Sequence, residues 1–144
     1  MKNEKKYLSI LEYKNVTRPA VIEDFVEDIK ITFEAISTNL NIMTYFNMIC
    51  FDLYGFEFDK MKKTHGIQLQ DEDEDELNLT YLEVLYNLIA QIHIRKLKYT
   101  DQVGYDLYIL PLKIKKYLNS KGYNLITSEN ARGVKCFKLE LIEE

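Results

Sequence analysis

The sequence predicts one small α+β domain, with three to four helices and a small antiparallel sheet that includes a C-terminal β-hairpin. Three observations carry this expectation. Apolar residues recur at helical spacing in two stretches, over about residues 19–40 and again from Thr80 onward. From Tyr123 to Leu141 the residues alternate with period two about a Gly-containing turn. The chain of 144 residues, 47% hydrophobic and 29% charged, has the length and composition of a single domain that can bury a core.

The first half, residues 1–79, opens on Tyr7–Tyr13, which reads as a short strand. Thr17 with Pro19 marks a helix start. Val21, Phe25, Ile29, Phe33, Ile36 and Leu40 then fall mostly four residues apart, one face of an amphipathic helix. Glu23, Asp24, Glu27, Asp28 and Glu34 occupy its outer face. The apolar run Ile42 to Leu53 suits a buried helix or a buried strand, and periodicity does not separate the two. Gly55 ends it. Phe56 and Phe58 alternate with Glu57 and Asp59 as a strand would, with Ile67 and Leu69 as its hairpin partner.

The second half, residues 80–144, reads as a helix, a break, a short helix and the hairpin. Thr80 and Glu83 form a T-x-x-E capping box. Leu82, Leu85, Leu88, Ile89 and Ile92 follow on one helical face. Arg95, Lys96 and Lys98 suit the negative end of the helix dipole. Thr100 to Gly104 breaks the pattern, and Tyr105, Leu107 and Ile109 alternate as a short strand. Pro111 is best tolerated near a helix start, so Leu112 to Lys121 is the second helix, with Ile114, Tyr117 and Leu118 inward and Gly122 just past its end. In the hairpin, the face of Phe137, Leu139 and Leu141 is expected to pack on Leu85, Leu88 and Ile92.

Several function classes find no support. Cys50 and Cys136 are too few for a disulfide framework and read as buried free thiols. His65 and His93 have no H-E-x-x-H spacing, and with two scattered cysteines they form no zinc pattern. Ser9, Ser37, Ser120 and Ser128 lack a G-x-S-x-G setting. No catalytic residue, cofactor site or metal set is legible, so the expectation is a non-enzymatic protein. The longest apolar run, Ile42 to Leu53, is broken by Asn47 and Asp52 and is too short to span a membrane. A secretory leader is not expected, because Glu12 interrupts the run Tyr7–Tyr13.

Charge is the informative feature. Asp71, Glu72, Asp73, Glu74, Asp75 and Glu76 are six acids in succession. A calcium loop would need Gly at the sixth position and Glu at the twelfth, where this chain has Glu76 and Leu82. The run therefore reads as a solvated acidic loop, and functionally as a patch for a basic partner protein. Residues 95–138 hold ten basic and three acidic side chains, a local net charge of +7 in a chain of net charge −4.

Two binding readings follow. The first is an accessory or regulatory protein that binds another protein through the acidic run. The alternative is a winged-helix-like DNA-binding transcriptional or partition regulator. In that reading Lys113, Lys115 and Lys116 lie on the helix before the hairpin, and Arg132 and Lys135 at the wing tip, all contacting phosphate. The acidic total and a break of about a dozen residues between the helices fit a DNA reader poorly. A homo-oligomer is compatible with either reading. Lys, Ile, Asn and Tyr together number 52, against 14 for Gly, Ala, Arg and Pro. The first set has AT-rich codons, which points to an AT-rich genome such as that of a phage or mobile element, and to action inside a host cell's cytoplasm.

Overall fold

A computed structural model describes residues 21–142. The expected strand at Tyr7–Tyr13 and the helix start at Thr17–Pro19 lie outside the described residues. The elements are α1 (Val21–Ser37), α2 (Leu40–Tyr54), α3 (Phe58–Lys63), α4 (Leu79–Ile94), α5 (Asp101–Ser120), β1 (Tyr123–Glu129) and β2 (Lys135–Leu141). This is the α+β class expected, with five helices among the described residues and one C-terminal antiparallel hairpin.

Helix α1 buries Phe25, Val26, Ile29 and Ile36, spaced as expected, and packs chiefly against α5. The ambiguous run Ile42 to Leu53 is helix α2. Asn39 caps it, its Oδ1 accepting the Ile42 N–H at 3.0 Å. Gly55, at φ 84°, ends it by donating its N–H to Phe51 O at 2.9 Å. Ile42, Phe46, Ile49, Cys50 and Leu53 are buried.

The hairpin expected between Phe56/Phe58 and Ile67/Leu69 does not form. Phe58 and Met61 are buried three residues apart, one face of the short helix α3, and Phe58 meets Phe46 and Tyr81 in the core. Asn47 fastens the start of this helix: its Oδ1 accepts the Asp59 N–H at 2.9 Å. The two-residue alternation was too short to exclude helical spacing.

Helix α4 starts slightly earlier than its capping box implied. Its N-cap is Asn78, whose Oδ1 accepts the Tyr81 N–H at 2.9 Å. Thr80 is exposed within the first turn, and Glu83 bonds the hairpin instead. Asn is at least as good a cap as Thr, and buried Leu77 anchors the chain just ahead of it. At the other end Lys96, at φ 55°, sits where glycine usually does. Its N–H reaches His93 O, and the Leu97 N–H reaches Ile92 O, a Schellman closure.

Helix α5 is the largest correction. It runs unbroken from Asp101 to Ser120 through Gly104 and Pro111, so neither the strand at Tyr105–Ile109 nor the break exists. Val103, Leu107, Leu110, Ile114, Tyr117 and Leu118 form one continuous buried face across the proline. Pro111 has no N–H to give Leu107 O, four residues back. The Nε2 of His93 lies 3.2 Å from that carbonyl. A carbonyl only accepts, so Nε2 carries the hydrogen and replaces the missing helical bond. An added Cβ at Gly104 would lie 3.4 Å from the Tyr99 ring.

The hairpin pairs Tyr123 with Leu141 through to Glu129 with Lys135. Asn130 shapes its tip, its Oδ1 accepting the N–H groups of Arg132 and Val134 at 2.9 Å each. Of the Phe137–Leu139–Leu141 face expected to pack on Leu85, Leu88 and Ile92, Leu139 packs against the core. Leu141 is 63% exposed, and Phe137 meets Tyr86 edge-on at 5.3 Å. The outer edge of β2 also packs, on a stripe of α4 four residues apart. Glu83 accepts the Leu139 N–H, Asn87 exchanges two hydrogen bonds with the Phe137 peptide, and Gln91 donates to Lys135 O. Helical periodicity turns this stripe away from the side that carries Leu85 and Ile92. Helix α4 is thus buried on both sides, apolar toward the helices and polar toward the hairpin.

Candidate protein-binding surface

All six acids from Asp71 to Glu76 are exposed, on a loop between α3 and α4. The loop is fastened at its feet. Asn78 donates its N–H to Leu69 O at 2.8 Å. The Leu77 N–H donates to the buried Tyr117 hydroxyl at 2.9 Å, tying the loop to α5. Glu76 pairs with Lys121 at the end of α5. This hydrogen bond, the largest cause, raises the Lys121 pKa above its ordinary value. Within the loop, Gln70 donates to Glu74 O at 3.0 Å, and the Glu74 N–H to Asp71 O at 3.1 Å. The carboxylates of Glu72, Asp73, Glu74 and Asp75 are left facing solvent on a braced turn.

The basic candidates are placed differently. Lys113 lies against α1, its Nζ 3.9 Å from Asp28 and 3.2 Å from the Thr32 hydroxyl. Lys116 is 7% exposed, inside the fold. Lys115 is half-buried, while Arg132 and Lys135 are exposed at the hairpin end. The five do not converge on one open face: α5 turns two of its three lysines inward.

A second surface was not legible as a site. Helix α2 exposes Leu40, Met48 and Phe51 although nearly all of its residues are uncharged. Met48 and Phe51, with Phe56, floor an open groove of about 670 Å³ edged by Asn47, Glu57 and Lys60. Asp52, which also lines the groove, is held by Arg95 at 2.9 Å. The signal was in the run Ile42–Leu53, which carries more apolar residues than one buried helical face consumes.

Among the described residues no group of three or more His, Cys, Asp or Glu side chains is arranged to hold a metal ion. No described helix is long and apolar enough to cross a membrane. Burial pushes the Cys50 thiol up to about 12, so it is protonated at neutral pH and poor as a nucleophile. No protein-family model, no curated protein and no solved structure matches the chain.

Proposed function

We propose that the chain is a non-enzymatic accessory or regulatory protein that acts by binding another protein, with Asp71–Glu76 as the contact that attracts a basic partner surface. The observation that carries this reading is the pairing of exposed carboxylates with a braced loop. A loop held at Leu69, Leu77 and Glu76 loses little conformational freedom on binding, so less of its interaction energy is spent on ordering it. Its charge also steers encounter with a basic surface. The codon-linked composition adds an origin in a phage or other AT-rich mobile element, acting in the cytoplasm of the cell that carries it.

The DNA-binding alternative gains one observation. Only residues 95–100 separate α4 from α5, and the hairpin follows α5 at once, the element order of a winged helix. It loses another, since Lys113 and Lys116 are engaged within the fold.

The two readings separate with one pair of variants. Changing Asp71 through Asp75 to Ser is expected to weaken capture of a lysate protein that the native chain retains, chiefly by slowing association. Changing Lys115, Arg132 and Lys135 to Glu is expected to leave that capture intact. Binding to random duplex DNA at about 150 mM salt, lost in the second variant, would select the DNA reading instead.

A further inference from the structure

The hairpin has two edges, and the fold treats them differently. On β2 the outward groups are those of Lys135, Phe137 and Leu139, and Gln91, Asn87 and Glu83 occupy them. Those bonds fix the phase of the ladder. The odd-numbered residues of β2 point their N–H and C=O away from β1, so their register partners on β1 point theirs away from β2. The contact between Ile142 N–H and Gly122 O, an even-numbered pair, agrees with this phase. The outer edge of β1 therefore presents the N–H and C=O groups of Tyr123, Leu125, Thr127 and Glu129. Among the described residues none of these groups bonds to another element.

This edge carries none of the usual protections against pairing. Tyr123–Glu129 contains no Lys, no Pro and no bulge, and its one charge is Glu129 at the end. Asn124, Ile126, Thr127 and Glu129 are exposed. We infer that β1 pairs antiparallel with β1 of a second copy of this chain across a two-fold axis at Ile126, making one four-stranded sheet.

The register follows from the phase and the charge. The outward groups of β1 are odd-numbered, so odd must meet odd. Centring the axis on Ile126 sets Tyr123 opposite Glu129 of the second copy and Leu125 opposite Thr127, and uses all four outward peptides. It keeps the two Glu129 carboxylates apart, each facing a neutral tyrosine. Ile126 meets its own counterpart at the non-hydrogen-bonded position, where side chains stand closest. Ile126 is 37% exposed in the single chain, so pairing covers apolar surface as well. This inference does not depend on the acidic loop.

Cysteine cross-linking of the full chain tests it. At the non-hydrogen-bonded site the Cα atoms lie about 4.5 Å apart, within disulfide reach. Mild oxidation of Ile126→Cys is expected to give a covalent dimer. Asn124→Cys would sit roughly 13 Å from its counterpart and is expected to give none. Cys50 and Cys136 are buried and do not compete. In sedimentation, the native chain is expected to be a concentration-dependent dimer and Ile126→Lys a monomer. An equimolar mixture of Ile126→Lys and Ile126→Glu is expected to recover the dimer. Thr127→Pro removes an outward N–H and should also yield a monomer with unchanged cooperative unfolding. A native monomer throughout the micromolar range, or a dimer indifferent to Ile126 and Thr127, would overturn the inference. So would dimerisation only after deletion of residues 1–20, which would name that segment as the occupant of the edge.

Discussion

The polar side chains of α4 and α5 and the acidic loop Asp71–Glu76 are both dense in charge or hydrogen-bonding groups, yet the fold uses them in opposite ways. Glu83, Asn87 and Gln91 recur every fourth residue on α4 and serve as a partner strand for β2. Lys113 and Lys116 are drawn toward α1 or into the interior. Among the described residues, the loop carboxylates tied to other side chains are those of Asp71 and Glu76, to Gln68 and Lys121. A run of like charge in a sequence measures composition, whereas its availability to a partner depends on the element that carries it. A helix flanked by neighbours commits most of its faces, and a loop fastened at its ends commits few.

The difference can be broken at its strongest point. Asn87→Ala strips the Phe137 peptide of both hydrogen bonds beneath α4, leaving an N–H and a C=O to be satisfied. A loss of about 3 kcal/mol is expected, read as a lower urea midpoint. Alkaline pH attacks the same interior. Burial raises the pKa of Cys50, Tyr54 and Tyr81 well above their ordinary values. Such neutral acids contribute stability that is fully present below their unfolded pKa values, about 9 to 10, and is lost as pH rises toward the folded ones. Stability measured by urea titration is therefore expected to fall progressively above that range.

Lys113→Glu replaces attraction to Asp28 with repulsion and is expected to cost about 1–2 kcal/mol. His93→Ala leaves Leu107 O without its substitute donor, for about 1 kcal/mol. That cost should shrink in a Pro111→Ala background, where the restored helical N–H serves the carbonyl, and a double-mutant cycle measures the coupling. At the small end, changing Asp71 through Asp75 to Ser should move stability by no more than about 0.5 kcal/mol, because these side chains are exposed. A loss as large as that of Asn87→Ala would mean that the loop is part of the core's support and would erase the contrast.

Periodicity made the apolar side of the molecule legible. The faces of α1 and α4, the hairpin strands and the stop at Gly55 follow from spacing and turn chemistry. What escaped was set by tertiary partners. Pro111 reads as a helix start unless one knows that His93 serves the carbonyl it orphans. The Phe56–Phe58 alternation reads as a strand until Asn47 is seen capping α3. Glu83 belongs to a capping box until β2 arrives to take its carboxylate. The acidic loop was conspicuous from composition, but its bracing by Leu77 and Tyr117 spans forty positions of sequence and has no local signature. The same holds for the groove on α2, whose exposure depends on which neighbours α2 has.

The proposed binding through the exposed carboxylates, and not through the lysines of α5 and the hairpin, has a kinetic signature. It is tested most directly by the association rate of a captured partner with the native chain, the Asp71–Asp75→Ser variant and the Lys115/Arg132/Lys135→Glu variant, measured across salt. Slow, salt-insensitive association is expected for the Ser variant and near-native association for the Glu variant, since peripheral charges act chiefly through encounter. Native association by the Ser variant, with loss in the Glu variant, would contradict it.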